Sequence, residues 1–132
     1  MIKVFVNGTF DLLHVGHLEL LKYAKTCGDM LMVAIDSDER VREKKGPSRP
    51  IHNQEERRLF LSMLKPVDHV TFFDSDEYLA KLIKAYRPDI MIVGSDWKDK
   101  PVIGSEHAKK LVFFDRIDGY STTQIIEGIT DR

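Results

Sequence analysis

The sequence has little of what marks secreted, membrane-bound or zinc-binding proteins. It contains one cysteine, Cys27, so no intramolecular disulfide can form and no cysteine-based zinc site is expected, which suits a reducing compartment. Its longest apolar run, residues 30–35, is far shorter than the roughly 18 residues that span a bilayer. The first residues lack the apolar region and the cleavage site of a signal peptide. We therefore expect a cytoplasmic protein without membrane insertion.

The sequence also lacks an excess of charge of either sign. Twenty Lys and Arg residues against 21 Asp and Glu residues give a net charge of −1 at pH 7, so no global basic field draws the chain onto nucleic acid. Any affinity for phosphate must come from a few local groups. The length of 132 residues, 42% of them apolar, suffices for one compact core, and we expect a single domain over residues 1–132.

Short apolar runs alternate with amphipathic segments along the chain. The pattern predicts strands at 2–6, 30–35, 67–73, 89–93 and 111–114, and helices at 16–26, 53–64 and 76–86. A short helix is expected to run from 36–38 toward Lys44, and a last helix is expected after Ser121. This alternation favours a Rossmann-like, three-layer α/β/α fold with a mainly five-stranded parallel sheet. Ligands of such sheets bind beyond the carboxyl ends of the strands, so the loops there form the candidate site.

The loop after the first strand combines a glycine turn with two histidines. Its notable residues are, in order, Gly8, Thr9, Phe10, Asp11, His14, Gly16 and His17. A glycine turn leading into a helix presents free backbone N–H groups and the positive end of the helix dipole, which together can bind an anion. His14 and His17 are expected to face one small volume. Because no cysteine or acidic residue at ligand spacing completes a metal site, we expect no protein metal centre and favour contact with phosphate.

A second group of hydroxyls opens the last helix. Ser121, Thr122 and Thr123 offer side-chain hydroxyls and unpaired N–H groups that can bind β- and γ-phosphates. Arg116 lies five residues earlier, and its forked guanidinium suits a phosphate. We therefore interpret this helix start as a phosphate-binding element.

Two more loops carry candidate residues. The basic segment 44–50 follows the second strand, and Lys44, ahead of Lys45, is the candidate to grip a phosphate above the sheet edge. Asp96 and Trp97 follow Gly94 at the end of the fourth strand, where a carboxylate and an aromatic ring can recognise and stack on a nucleobase.

Two of these motifs resemble a known family. Residues 8–17 resemble the signature of the nucleotidyltransferase superfamily that contains the cytidylyltransferases, a threonine–phenylalanine turn followed by His-x-Gly-His. Residues 118–123, preceded by Arg116, are similar to the second signature, Arg-x-x-Gly-x-Ser-Thr-Thr. The resemblance implies an enzyme in which a phosphate oxygen of a small substrate attacks the α-phosphorus of a nucleoside triphosphate and releases pyrophosphate. Such a displacement needs positioning and hydrogen-bond donors but no covalent nucleophile.

The resemblance also implies roles for individual residues. The catalytic group would comprise His14, His17, Lys44 and Arg116. Nucleotide binding would involve Gly8, Thr9, Phe10, Gly16, Asp96, Trp97, Ser121, Thr122 and Thr123. Asp11 and Arg57 would contact the acceptor. Mg²⁺ is expected to accompany the triphosphate, whose charge it neutralises, and the resemblance suggests a homodimer.

Two subgroups of the superfamily compete for the substrates. Arg116 with the Ser-Thr-Thr motif, and residues 95–98, resemble glycerol-3-phosphate cytidylyltransferase, which uses CTP. Residues 45–51 and 98–105 resemble instead the adenylyltransferase that activates heptose 1-phosphate for lipopolysaccharide precursors, which uses ATP. We accordingly expect the acceptor to be a small phosphorylated alcohol or sugar. Between the two nucleotides, the presence of Arg116 leads us to predict CTP.

A non-catalytic nucleotide-binding module is the alternative from another class. The dinucleotide-binding pattern Gly-x-Gly-x-x-Gly is absent, and a simple binder has no need of both His14 and His17. These two observations favour the enzyme.

Overall fold

Five parallel strands form the central sheet of the protein, whose computed structural model describes residues 1–115 and 122–130. The strands are β1 (Lys3–Gly8), β2 (Met30–Asp36), β3 (His69–Phe73), β4 (Ile90–Gly94) and β5 (Lys110–Phe114). They lie in the order β3-β2-β1-β4-β5, and every neighbouring pair is parallel. The predicted Rossmann-like fold is thereby confirmed. The winding direction reverses between β1 and β4, which is where such sheets bind ligands.

Helices connect the strands. They are α1 (Val15–Thr26), α2 (Asp38–Lys45), α3 (Gln54–Ser62), α4 (Asp76–Tyr86) and α5 (Thr122–Thr130), with single 3-10 turns at Ser95–Trp97 and Ser105–His107. The side chains of Ser37, Asn53 and Ser75 cap α2, α3 and α4, respectively. In each case the side-chain oxygen accepts a hydrogen bond from the backbone N–H three residues later. Within residues 1–115 and 122–130, no helix has the length and apolarity needed to cross a membrane.

The sheet separates two apolar layers. Alternate residues of a strand point to opposite faces, so Val4 and Val6 pack with α1 and α3 while Phe5 packs with α4. Both faces of the central strands are therefore covered, which explains why β1, β2 and β4 are continuous apolar runs. Strands β1 and β4 end two and one residues later than predicted, at Gly8 and Gly94, because their pairing with Ile35 and Phe114 continues past the last apolar side chain.

The ends of β1 and β2 are joined to α3 by a buried arginine. Arg57 in α3 is 0% exposed. Its Nη1 donates to the backbone carbonyls of Thr9 (2.9 Å) and Asp36 (2.8 Å), and its Nε donates to that of His52 (3.0 Å). Its Nη2 donates to the carboxylate of Asp38 at 2.8 Å. One guanidinium thus fixes two loops at the sheet edge relative to the segment before α3.

Replacement of Arg57 by methionine should destabilise the fold strongly. The Arg57→Met variant keeps an unbranched side chain but leaves the buried carbonyl of Asp36, the part-buried carbonyl of Thr9 and the Asp38 carboxylate without their donor. Breaking a buried ion pair in this way costs about 3–5 kcal/mol. Urea unfolding followed by circular dichroism measures the change in the free energy of unfolding.

The neighbouring Arg58→Met variant is the matched control. Arg58 is exposed and lies over the Phe72 ring at 5.7 Å, a contact whose loss costs about 0.5–1 kcal/mol. Equal stability losses for the two variants would contradict the structural role assigned to Arg57.

Candidate active site

The two histidines of the first loop lie face to face at the start of α1. Their ring centroids are 3.8 Å apart with an interplanar angle of 23°, and the Phe10 ring lies 5.1 Å from His17 on a tilted plane. His14 is the residue that caps α1, and its backbone N–H donates to Nδ1 of His17 at 3.3 Å. The structure therefore brings both predicted histidines, the N-terminus of α1 and the end of β1 into one place, as the sequence pattern suggested.

His17 is a neutral hydrogen-bond donor in this arrangement. Burial first, and then the charges of His14 and Lys45, lower the pKa of His17 from 6.5 to about 3, against a small opposing effect of Asp11. Because Nδ1 accepts the backbone hydrogen bond, the single proton of the neutral ring resides on Nε2. An Nε2–H donor suits a phosphate oxygen without requiring a charged imidazole.

The turn between β1 and α1 has an unusual backbone. Phe10 and Leu12 have positive φ angles of 52° and 45°, a region that residues other than glycine seldom adopt. A Cβ added to Gly8 would lie 3.0 Å from the Phe10 ring, so any larger residue there would require this ring to move by a few tenths of an ångström. Such conformations persist where the surrounding structure enforces them, and they concentrate at functional sites.

Asp11 ties the turn to the segment 46–52. Its carboxylate accepts hydrogen bonds from the backbone N–H groups of Ile51 (2.7 Å) and His52 (2.9 Å), and it lies 3.7 Å from Nε of Arg49. The side chain is 1% exposed. In this conformation Asp11, predicted to contact the acceptor, holds the segment 46–52 against the turn.

The two lysines at the end of α2 lie on different sides of the site. Lys44 lines a cavity together with Arg40, one helical turn earlier. Lys45 lies close enough to His17 to lower its pKa, and its own pKa is lowered by desolvation and by the charge of Arg49. Lys45, which the sequence analysis placed after Lys44, is thus the lysine that acts electrostatically on His17.

The cavity, of about 210 Å³, lies beside the Gly8–Thr9 turn. Its polar lining includes Asp36, at the end of β2, whose carboxylate accepts from the Thr9 hydroxyl at 3.3 Å. Its apolar lining includes Phe73, Leu79 and Val102. We name this space the α4-side cavity, since its apolar walls belong to the core layer that packs against α4.

Sequence reasoning missed Asp36 and Arg40 as site residues. Arg40 is 9% exposed and its guanidinium lies over the Phe73 ring at 5.2 Å, bonded to the carboxylate of Asp76. Two features of the sequence could have indicated them. Asp36 is an acidic residue at the carboxyl end of a buried strand, and Arg40 shares a face of α2 with Lys44, four residues later.

The remaining predicted residues fall into three groups. Trp97 is 47% exposed and lines the α4-side cavity, whereas Asp96 next to it is exposed and does not. Gly16 lies in the first turn of α1, and Thr123 is exposed near the start of α5. Arg116, Ser121 and the side chain of Thr122 lie outside the described residues.

Arg57, predicted to contact the acceptor, lies buried beneath the site in this structure. Its guanidinium is buried and donates to Thr9, Asp36, His52 and Asp38, all on this chain. Burial and these four hydrogen bonds make it a structural residue beneath the site in this conformation. A sequence pattern shows that such an arginine lies on a helix but not whether its side chain is buried.

Comparisons with known proteins agree on one family. The cytidylyltransferase-like family profile matches residues 5–128. The bifunctional protein HldE of Campylobacter fetus is 47% identical over 126 residues, which cover 96% of this chain and 27% of that protein. HldE of Helicobacter hepaticus is 45% identical over 126 residues, covering 96% of this chain and 26% of that protein. The chain thus spans about a quarter of the length of the curated relatives it matches.

A solved structure is similar over most of both chains. The lipopolysaccharide core biosynthesis protein from Thermoplasma volcanium superposes with a TM-score of 0.73 at 29% identity, covering 89% of this chain and 99% of that one. These matches confirm the resemblance carried by the loop of residues 8–17. The chain belongs to the cytidylyltransferase-like family of nucleotidyltransferases.

Proposed function

We propose that the chain transfers AMP from ATP to a heptose 1-phosphate and releases pyrophosphate. The observation that carries the catalytic part is the pair of stacked histidines, His14 and His17, beside the N-terminus of α1 at the carboxyl edge of the sheet. The HldE relatives and the lipopolysaccharide core biosynthesis structure support the heptose substrate. They favour this alternative over our sequence-based preference for CTP and glycerol 3-phosphate, which rested on Arg116.

The proposed reaction is a single displacement at phosphorus. A phosphate oxygen of the acceptor forms a bond to the α-phosphorus of ATP, and the bond from that phosphorus to the bridging oxygen of the β-phosphate breaks. Pyrophosphate leaves with the bonding electrons, and the product is a nucleoside diphosphate sugar. Negative charge builds on the α-phosphate oxygens in the transition state, so fixed donors that meet those oxygens accelerate the reaction.

The histidine side of the turn supplies such donors. His17 offers a neutral Nε2–H, His14 stacks against it, and the N-terminus of α1 adds the positive end of the helix dipole. The side chain of Lys45 contributes positive charge at the same place. We assign nucleotide binding to this side, with Gly8, Thr9, Phe10 and Gly16 forming the turn.

Mg²⁺ is part of the proposal as a partner of the triphosphate. Both oxygens of Asp11 already accept backbone hydrogen bonds. In residues 1–115 and 122–130 no group of three or more His, Cys, Asp or Glu side chains is placed to hold a metal ion. The ion prefers phosphate oxygens, water and one or two carboxylates, so it would arrive with ATP and neutralise its charge.

We also propose that the chain forms a homodimer and that it is located in the cytoplasm, as the resemblance and the sequence composition suggested.

A substrate panel tests the proposed reaction. We expect pyrophosphate release in the presence of Mg²⁺, ATP and heptose 1-phosphate, and little or none when CTP, UTP or GTP replaces ATP. Release with CTP and glycerol 3-phosphate would instead establish the cytidylyltransferase alternative. A phosphate-coupled assay of pyrophosphate measures each combination, and an absence of release in every combination would favour the non-catalytic nucleotide-binding module.

Alanine substitutions of the histidines should abolish most turnover while nucleotide still binds. His14→Ala and His17→Ala each remove a donor aimed at the reacting phosphate, a loss worth about 10²–10³ in kcat. Steady-state kinetics with ATP and heptose 1-phosphate measure it. His69→Ala is the control, because His69 is exposed at the opposite, amino end of β3. Unchanged kcat in both active-site variants would exclude the role assigned to the pair.

Acid should destabilise the free protein through His17. The unfolded chain takes up a proton on this ring near pH 6.5, whereas the folded chain does so only near pH 3. Between these values the unfolded state binds more protons, so the free energy of unfolding falls as the pH falls, by at most about 1.4 kcal/mol per pH unit. The His17→Gln variant, which retains a polar residue at this capping position, should show a flatter dependence in urea unfolding at a series of pH values. Equal slopes for the variant and the wild type would refute a neutral His17.

A further inference from the structure

The α4-side cavity and the histidine pair lie on opposite sides of one turn. Phe10, which contacts His17, belongs to the core layer packed against α1, whereas the cavity walls Phe73, Leu79 and Val102 belong to the layer packed against α4. Gly8 and Thr9 line the cavity and also lead into the histidine loop. Two molecules bound on these two sides would therefore meet at the Gly8–Thr9 turn.

The cavity is sized for a small molecule. Its volume of about 210 Å³ is below the roughly 300–1,000 Å³ of pockets that hold drug-sized ligands, so it suits a single sugar better than a complete nucleotide. Leu79, Val93, Val102 and Ile103 supply apolar walls. Such walls can cover the C–H faces of a sugar while a few polar groups fix its orientation.

Asp36 and Arg40 form an incomplete polar pair on the cavity wall. Oδ1 of Asp36 lies 3.9 Å from Nε of Arg40, beyond hydrogen-bond distance, and both side chains are about nine-tenths buried, at 9% and 10% exposure. Within the described residues, Nε of Arg40 has no hydrogen-bond partner. A buried N–H donor left in this state is costly unless a ligand or water satisfies it. One hydroxyl group completes the pair, because it can accept from Arg40 and donate to Asp36 at the same time.

The charge of the cavity favours a phosphate-bearing molecule. Arg40 and Lys44 are both on the lining, one helical turn apart, while Asp36 is the one carboxylate there among the described residues. Asp76, outside the lining, pairs with the guanidinium of Arg40, so the positive charge that the lining offers to a phosphate is that of Lys44. Hydroxyl recognition and positive charge in one small cavity match the chemistry of a phosphorylated sugar.

We propose that Asp36 and Arg40 are specificity-determining residues for the acceptor: they bind a hydroxyl of a sugar phosphate in the α4-side cavity, with Lys44 beside its phosphate. The phosphate then lies near the Gly8–Thr9 turn, across which the α-phosphate of the nucleotide approaches from the histidine side. This inference rests on the proposed function, since it names the binding site of that reaction's acceptor.

Kinetics of two conservative variants test the proposal. Asp36→Asn keeps the size of the side chain and an oxygen for the Thr9 hydroxyl, and Arg40→Lys keeps the charge but removes Nε. Each removes one hydrogen bond that involves a charged group, so the KM for heptose 1-phosphate should rise about 10- to 100-fold. The KM for ATP should change less than about twofold, since ATP binds on the other side of the turn. Glu77→Gln is the control, because Glu77 is an exposed carboxylate in the first turn of α4.

The pattern of the two KM values decides the outcome. A rise in the KM for ATP alone, or no rise in either KM, would overturn the assignment. Thermal melting of each variant shows whether it folds. Arg40→Lys loses a contact with Asp76; if this variant does not fold, the KM values of the isosteric Asp36→Asn variant alone test the proposal.

A binding measurement separates this inference from the proposed reaction. Calorimetric titration of the nucleotide-free chain with heptose 1-phosphate requires no turnover. Weaker binding to Asp36→Asn than to the wild type supports the assignment even if the substrate panel finds no pyrophosphate release with ATP. Equal binding to both proteins, or no binding to the wild type, overturns it whatever the panel shows.

Discussion

The guanidinium of Arg57 is the junction on which the geometry of the site depends. It has no exposure to solvent and donates to the carbonyls of Thr9 and Asp36, at the ends of β1 and β2. It also donates to the carbonyl of His52, before α3, and to the carboxylate of Asp38, the first residue of α2. Without this donor, the buried carbonyl of Asp36 and the part-buried carbonyl of Thr9 would lose a hydrogen bond, which is costly away from water. The turn that holds the histidines and the strand end that carries Asp36 are thus fixed to each other by one side chain.

A second constraint is the balance of charge around the turn. The net charge of the chain is −1, yet Lys44, Lys45 and Arg49 gather at the sheet edge. Asp11 holds the segment of Arg49 in place through two backbone hydrogen bonds. The charges of Arg49 and Lys44 act on Lys45, and the charge of Lys45 acts on His17. A bound polyanion would lower the mutual repulsion of these cations, in agreement with the nucleoside triphosphate of the proposed reaction.

Most of the fold followed from local pattern. The strand and helix order was predictable because buried parallel strands are continuous apolar runs, and because α3 and α4 each carry an apolar face and a polar cap. The helix predicted over 76–86 is found as α4 (Asp76–Tyr86). The single turns at Ser95–Trp97 and Ser105–His107 were not predicted, since three residues carry no periodicity. Strand ends were displaced where backbone pairing outlasts the apolar residues, as at Gly8 and Gly94.

The sequence alone determined the family, the parallel sheet and the position of the histidine loop, because glycine turns, strand runs and His-x-Gly-His are local patterns along the chain. Only the tertiary structure decided what each charged side chain faces. Arg57 is buried beneath the site, Asp11 holds a neighbouring segment, and Asp36 and Arg40 line a cavity that no local pattern reveals. Burial and partners of a charged group are set by segments distant in sequence, and they decide whether its donors meet this chain or a ligand.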